Sequence, residues 1–513
     1  MKKFRDVHQN QLMLLPPSLD EFIDENHMVR VLDSLVDRIT SKSLEDIFIG
    51  GGTPSYHPRM MLKVILYAYI RQLYSCRKIA KALREDLSFM WLSGLSHPDF
   101  NTVNRFRSDY LRGILEDVYS ELLLFLESEG YINLEDYFVD GSKFEANAGK
   151  HSYVWKKNTE RYKEAVKERV HTLFEEIDDL NAEEDLKFGD DDLPERGAHS
   201  EITVKDIQEA AESINEKLQN EPDKKKARSL KSRAKKLEKE AEKLAKYEDQ
   251  ETKLAGRNSY SKTDTDATFM RMKDDRLRAA YNVQLSTSNR FIVNYSVSQN
   301  ASDSSSFPAH LFRIVERGEK FIPDTFTGDR GYGTQENYSL LSEHGIENYL
   351  KFASFHYEQR RSFQQNKFHR DNMIYDEQQD CYYCPADKAL NYKEDRSRRT
   401  ATGYVTRQRV YQCEDCRGCL YTNECKRGDG NRTVQTNPEL ERFKADAREN
   451  LNSEKGLQLR KRRGSEVETP FADLKENQKF TKFSLRGLEK VDHELGLLSM
   501  AFNIRKYVGM MAN

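Results

Sequence analysis

Residues 137–146 read YFVDGSKFEA, and this stretch decides the fold. Three bulky residues, Tyr137, Phe138 and Val139, run straight into Asp140-Gly141-Ser142. A β-type run that ends on a carboxylate has two readings. A lone Asp at a strand end is ordinarily turn chemistry, its side chain bonding nearby backbone amides. It becomes one arm of a metal site when partner carboxylates occupy similar settings. Asp329 in FTGDRGYG repeats the pattern, following an apolar strand and preceding Gly331 and Gly333, which allow a sharp turn and close backbone approach. Two carboxylates converging at neighbouring strand ends repel unless a cation sits between them. Mg²⁺ suits such a pair, because it takes one or two carboxylates plus waters and phosphate oxygens.

The bulk composition is permissive. A chain of 513 residues corresponds to about three domains. Its 82 basic and 85 acidic residues leave a net charge of −3. That balance argues neither for nor against nucleic acid, since local patches matter more than the sum. No apolar run approaches the roughly 18 residues of a membrane span. The start, MKKFRDVHQNQLMLLPPSLDEF, is basic but carries only a very short apolar patch, so no signal peptide is expected. Six of the seven cysteines lie between 381 and 425. Without a secretion signal, that clustering points to a metal more than to disulfides.

Working outward from the opening strand, residues 1–130 read as a helical DNA-binding or dimerising domain. RMMLKVILYAYIRQLYSCRKIAKALRED has long apolar periodicity, and Asn101-Thr102 marks a helix start. Arg105 and Arg107 are candidates for contact with phosphates, against a bland alternative of a helical interaction domain. Residues 150–256 are highly charged and read as an insertion of long solvated helices, with an acidic loop at 181–197. Its basic run is ordinarily a solvated helix face. AAYNVQLSTS and RFIVNYSVSQ, beyond residue 262, read as a hairpin. A helix, a strand, a Gly-rich turn, a second helix and the strand ENYLKFA follow. The order is strand, helical insertion, strand, strand, helix, strand, helix, strand, which is a mixed α/β layer protein. On this reading the core comprises 131–149, 257–353 and 437–513, and 354–436 is a second, cysteine-rich insertion.

A third acidic arm is expected in RKRRGSEVETPFADLKEN. Val467, Phe471 and Leu474 fall at i, i+4, i+7 and form an apolar stripe. Glu468 and Lys475 lie along one edge of it and Glu466 along the other. Helix geometry alone does not choose between the two glutamates. Pro470 suits a first turn or produces a kink.

These pieces together resemble a bacterial insertion-sequence transposase of the DDE type. The resemblance rests on YFVDGSKFEANA, AYNVQLS, GDRGYG and VETPFADLKENQKFTKFSLRGLEKV, with ELGLLSMAFNIRK beyond, in that order. SYHPRMMLKVILYAYIRQLYSCRKIAKAL and PDFNTVNRFR resemble the helical domain that precedes the core in the same group. The resemblance implies an RNase H-like catalytic domain with Asp140, Asp329 and Glu468 as catalytic residues holding two Mg²⁺ (or Mn²⁺). It implies that Arg463 and Lys475 grip DNA phosphates. Lys475 fills the family's Lys slot, whereas Gly464 stands in the Arg slot with Arg463 beside it, and Lys461 stands in the Tyr slot. It further implies double-stranded DNA as partner, cleavage and strand transfer at terminal inverted repeats, at least a homodimer in a synaptic complex, and a cytoplasmic, nucleoid-associated location. The competing readings are a metal-dependent nuclease without strand transfer and a DNA-binding regulator that has lost catalysis.

The cysteines run Cys381-x₂-Cys384, Cys413-x₂-Cys416-x₂-Cys419, then Cys425. Paired CxxC knuckles separated by a loop are a tetrahedral Zn²⁺ signature. Cys384, Cys416, Cys419 and Cys425 are the expected ligands of a structural zinc, with Cys381 and Cys413 able to substitute. The bland alternative is reduced thiols in a loop. Cys76, alone in a helical run, reads as a small buried hydrophobe. No Gly-rich phosphate loop of the ATPase type is present.

Overall fold

The computed structural model describes residues 18–39, 44, 56–188, 202–220, 223–400, 402–426 and 428–511. The N-terminal stretch considered for a signal peptide lies outside these up to residue 17. The acidic loop expected at 181–197 lies outside them from 189 onward, and residues 181–188 continue a helix. The chain divides into two compact units. The first holds 1–144, 282–485 and 489–513, and the second holds 145–281 with 486–488.

In the first unit, helices α1 (Met28–Ile39), α2 (Pro58–Ile70), α3 (Cys76–Glu85), α4 (Leu87–Leu92), α5 (Phe100–Arg105) and α6 (Leu115–Ser128) come first. The long periodic run breaks between α2 and α3, where Gln72 takes a φ of +61°. α5 starts just before the expected Asn101-Thr102, because Asp99 is its cap and accepts the Thr102 amide at 2.7 Å.

The sheet is built from β1 (Asp136–Glu145) and, after the strands of the second unit (β2, Tyr153–Trp155; β3, Ser259–Ser261; β4, Thr268–Arg271), from β5 (Leu277–Ser288), β6 (Phe291–Ser298), β7 (Thr325–Gly333) and β8 (Glu347–Phe352). Its order is β6-β5-β1-β7-β8. β1 runs parallel to β7, and β7 parallel to β8. β5 and β6 form the expected antiparallel hairpin. Its turn residues Asn289 and Arg290 have φ of 51° and 63°, the backbone of the tight turns that match strand twist. Tyr137, Phe138 and Val139 are fully buried, as a strand covered on both faces requires.

Between β6 and β7 lies α10 (Asp303–Arg317), and between β7 and β8 lies α11 (Gln335–Glu343); α7 to α9 belong to the second unit below. After β8, two short helices (α12, Phe355–Glu358; α13, Arg361–Gln364) lead to a five-stranded antiparallel sheet of β9 (Ile374–Asp376), β10 (Cys381–Tyr383), β11 (Ala389–Arg399), β12 (Val405–Cys413) and β13 (Thr433–Thr436), with α14 (Thr422–Cys425) in its last loop. Helices α15 (Pro438–Asn452), α16 (Glu454–Ala472) and α17 (Leu488–Met511) close the chain. Pro470 sits inside α16, and one wider turn of π-type winding, Asp473–Asn477, follows it.

The second unit contains α7 (Lys156–Phe188), α8 (Val204–Asn220) and α9 (Lys224–Leu254), three helices where long solvated helices were expected. Val166, Val170, Ile207, Ile214, Leu237 and Leu244 bury a common apolar seam among them. Among the described residues no helix is long and apolar enough to cross a membrane.

Candidate active site

Asp140 and Asp329 reach one place through strand register. Asp136, Tyr137 and Phe138 pair with Thr325, Phe326 and Thr327, so two more residues along each strand set Asp140 beside Asp329. Arg463 of α16 stands between them. Its guanidinium Nη2 lies 3.4 Å from Asp140 Oδ1 and 3.9 Å from Asp329 Oδ2. Both acids lie within their strands and not at strand ends as the sequence suggests, because β1 runs on to Glu145 and β7 to Gly333.

Capping and clustering coexist here. Asp140 accepts the Gly141 amide at 2.9 Å and Asp329 accepts the Gly331 amide at 2.7 Å. Both carboxylates thus bond amides of their own strands while facing the same guanidinium. Burial pushes the Asp140 carboxyl up to about 6, against the pull of Arg463 and the Gly141 amide; Asp329 and Asp303 push it the same way as burial.

Asp303, the first residue of α10, is the member of the cluster that sequence reasoning missed. It accepts Asn282 Nδ2 at 2.9 Å and Gln284 Nε2 at 2.8 Å, both from β5. The Tyr332 hydroxyl in turn donates to Gln284 Oε1. A Cβ at Gly141 would collide with Asp303 Oδ1 and Gln284 Nε2, so glycine is what lets β1 approach this network. Asp303 reads as a cap in SDSSS. The available signal was the polar pair Asn282 and Gln284, two apart on one face of β5 that Ser286 and Ser288 continue.

The two glutamates on α16 separate cleanly. Glu466 is 5% exposed and accepts the Arg290 amide at 2.6 Å, which anchors the β5–β6 turn. Glu468 is exposed and forms no hydrogen bond or ion pair among the described residues. The structure brings Asp140, Asp329 and Arg463 together, and no hydrogen bond or ion pair among the described residues joins Glu468 to them. Lys475, on the π-type turn, donates to Ser142 Oγ at 2.7 Å and to the Lys143 carbonyl at 3.0 Å, two and three residues past Asp140. Arg105 is exposed, with its guanidinium 5.2 Å from the Tyr110 ring centroid. Arg107 is buried and donates to the Tyr74 carbonyl at 2.8 Å.

Cations gather beside the acids. Lys351 is held below the usual lysine value by burial and by Arg463 and Arg460. His356 is pushed down by burial and by Lys351, Arg460, Arg330 and Arg360. None of Arg330, Lys351, Arg360 or Arg460 forms an ion pair among the described residues. The Nε–H groups of Arg460 and Arg463 are buried without an acceptor. Such orphaned donors are costly, and they mark a place where an anion fits.

The six clustered cysteines are all free thiols. Burial and the neighbouring Cys416 push the Cys413 thiol up to about 11, with Cys384 acting the same way. Cys425 is raised by burial and by Cys384, Cys416 and Cys419. The four thiols expected to form a site therefore share one neighbourhood, with Cys413 beside it. Cys381 interacts with the Tyr383 hydroxyl. Among the described residues no three His, Cys, Asp or Glu side chains already stand at ion-holding distance, here or at the acidic site.

Residues 383–508 match the family model described as Transposase DDE domain, and residues 17–109 match that of Transposase domain (DUF772). The first match includes Arg463, Glu468 and Lys475; Asp140 and Asp329 precede it. The two matches support an insertion-sequence transposase of the DDE type. No curated protein and no solved structure matches the chain significantly.

Proposed function

We propose that this chain is a DNA transposase that binds the terminal inverted repeats of an insertion sequence and catalyses metal-dependent strand cleavage and strand transfer. The observation that carries the reading is Asp140 and Asp329 opposed across Arg463, whose buried Nε–H lacks an acceptor. The strand order β6-β5-β1-β7-β8, with β1, β7 and β8 parallel, supports an RNase H-like core.

The chemistry of the donor set supports a divalent cation. Hard carboxylate oxygens converge, and a guanidinium occupies the position of positive charge between them. Asp140, Asp329 and Glu468 would hold Mg²⁺ or Mn²⁺, two per site, and the free carboxylate of Glu468 on the helix of Arg463 supports its part. Bound there, the ions would supply Lewis-acid stabilisation of the attacking and leaving oxygens of an in-line displacement. Arg463 with Arg460, Lys351 and Arg330 would position the scissile phosphate by charge-assisted contacts. Lys475, beside Ser142, would hold the backbone next to it, and Arg105 and Arg107 would contact phosphates from the helical domain. Cys384, Cys416, Cys419 and Cys425 would carry a structural Zn²⁺, with Cys413 and Cys381 as alternates. Two DNA ends require at least a homodimer, and the location follows the DNA.

The test is a joining assay with labelled inverted-repeat ends, supercoiled target plasmid and Mg²⁺ or Mn²⁺. Joined products that vanish in Asp140→Asn are expected. Cleavage without joining would make the protein a nuclease, and DNA binding with neither product would make it a regulator.

A further inference from the structure

A second polar site lies in the helical domain, where α3 and α5 border an open cleft of about 400 Å³. Ser75, Arg77, Asn101, Asn104 and Arg107 line it. Ser75 is the N-cap of α3, but its hydroxyl caps no amide. The Ile79 amide reaches the Ser75 carbonyl at 2.9 Å, while those of Arg77 and Lys78 find no acceptor among the described residues. Unsatisfied first-turn amides carry the positive end of the helix dipole and favour an anion.

An independent observation points the same way. Arg107 is 3% exposed; its Nη groups donate to the Tyr74 carbonyl, the Tyr69 hydroxyl and Asn104 Oδ1, and its Nε–H alone has no partner. Burying a cation with an unmet donor is costly unless an acceptor arrives. Arg77 is exposed over the Phe100 ring, 5.1 Å from its centroid. Neither arginine forms an ion pair among the described residues. Glu494 acts on Arg107 from nearby, but both its oxygens accept from Ser484 and Leu485.

We propose that this cleft binds one phosphodiester of the duplex DNA backbone, through the α3 amides, Arg77, Arg107 and the carboxamides of Asn101 and Asn104. The anion site rests on the geometry above; its assignment to DNA rests on the function proposed in the preceding section. The ligand lies at the surface, since Ser75, Arg77, Asn101 and Asn104 are all exposed, and this suits a phosphate on a long polymer. No base is read there, so the contact is independent of sequence.

Ser75→Asp tests it, because a carboxylate at the N-cap satisfies the amides and excludes phosphate from the same place. Binding of the full chain to inverted-repeat duplex is measured without divalent metal across a salt series, together with thermal melting. The expected result is an unchanged or raised melting temperature and roughly ten-fold weaker binding, about the loss of one charged hydrogen bond. The slope of log affinity against log salt should fall by about 0.9, one phosphate contact. Arg77→Ala should weaken binding in the same direction. Wild-type affinity and slope in Ser75→Asp would overturn the proposal. If the unmodified chain binds no duplex at all, the transposase reading fails, and inorganic phosphate judges the cleft alone. Phosphate that raises the melting temperature of the unmodified chain but not of Ser75→Asp keeps an anion site and removes its assignment to DNA. No such rise overturns the site itself.

Discussion

At the scale of single residues, Glu466 and Glu468 show how two like side chains two positions apart take different work. Glu466 is buried and holds the Arg290 amide of the hairpin turn. Glu466→Ala leaves that donor unmet and should cost about 1–3 kcal/mol, seen as a lower urea midpoint. Glu468→Gln should leave stability within about 0.5 kcal/mol yet lower strand cleavage by at least ~10²-fold. Loss of stability in Glu468→Gln, or full cleavage by it, would contradict the assignment. Gly141 is the other decisive position. Gly141→Ala presses a methyl group against Asp303 and Gln284 and should cost about 1–3 kcal/mol as overpacking; a thermal melt equal to wild type would show that the network yields. Asp140, Asp329 and Arg463 were legible as residue types after apolar strand runs and on a basic helix, but both strands run on past the acids. Asp303 was not, because a short acidic residue among serines at a helix start looks the same whether it caps or joins a cluster.

Among elements, α10 packs on the hairpin through a buried polar centre. His310 bonds Ser286 Oγ at 2.7 Å and Ser296 Oγ at 2.8 Å, and its carbonyl accepts Asn294 Nδ2 at 2.8 Å. Burial, with Arg313 and Arg317, lowers its pKa to about 3. The imidazole is therefore neutral when folded, while the unfolded chain takes up the proton near pH 6.5. Stability from this group is whole above about pH 6.5 and falls as pH drops toward 3. At pH 5 the loss is about 2 kcal/mol. His493, lowered to about 4, adds in the same direction. Urea midpoints between pH 7 and pH 5 should fall less steeply in His310→Gln than in wild type; parallel slopes would place the proton uptake elsewhere. The hairpin, α10, β7 and β8 were readable from alternation and turn residues. β2, β3 and β4 were not, being three or four residues long and too short to carry a period.

For the whole molecule, the cysteine lobe gives the sharpest expectation. Its small core of Met373, Leu390, Tyr411, Cys413, Cys416 and Val434 is slight for five strands, so the proposed metal would contribute folding energy outright. The purified chain should carry about one zinc, and a strong chelator should expose 374–436 to proteolysis while the β1–β8 sheet stays protected in hydrogen exchange. Retention of the lobe after complete metal removal would leave the thiols as packing only.

By itself the sequence determined the order of the longer elements, the aspartates that follow apolar runs and the spacing of the cysteine pairs, because period, residue order and ligand spacing are local properties of a chain. Tertiary structure alone decided that β1 lies in register with β7, that Arg463 fills the space between two acids, and that Glu466 turns inward while Glu468 stays free. Those outcomes depend on which distant segments share a sheet and which helix face is covered, and no short window of residues carries that information.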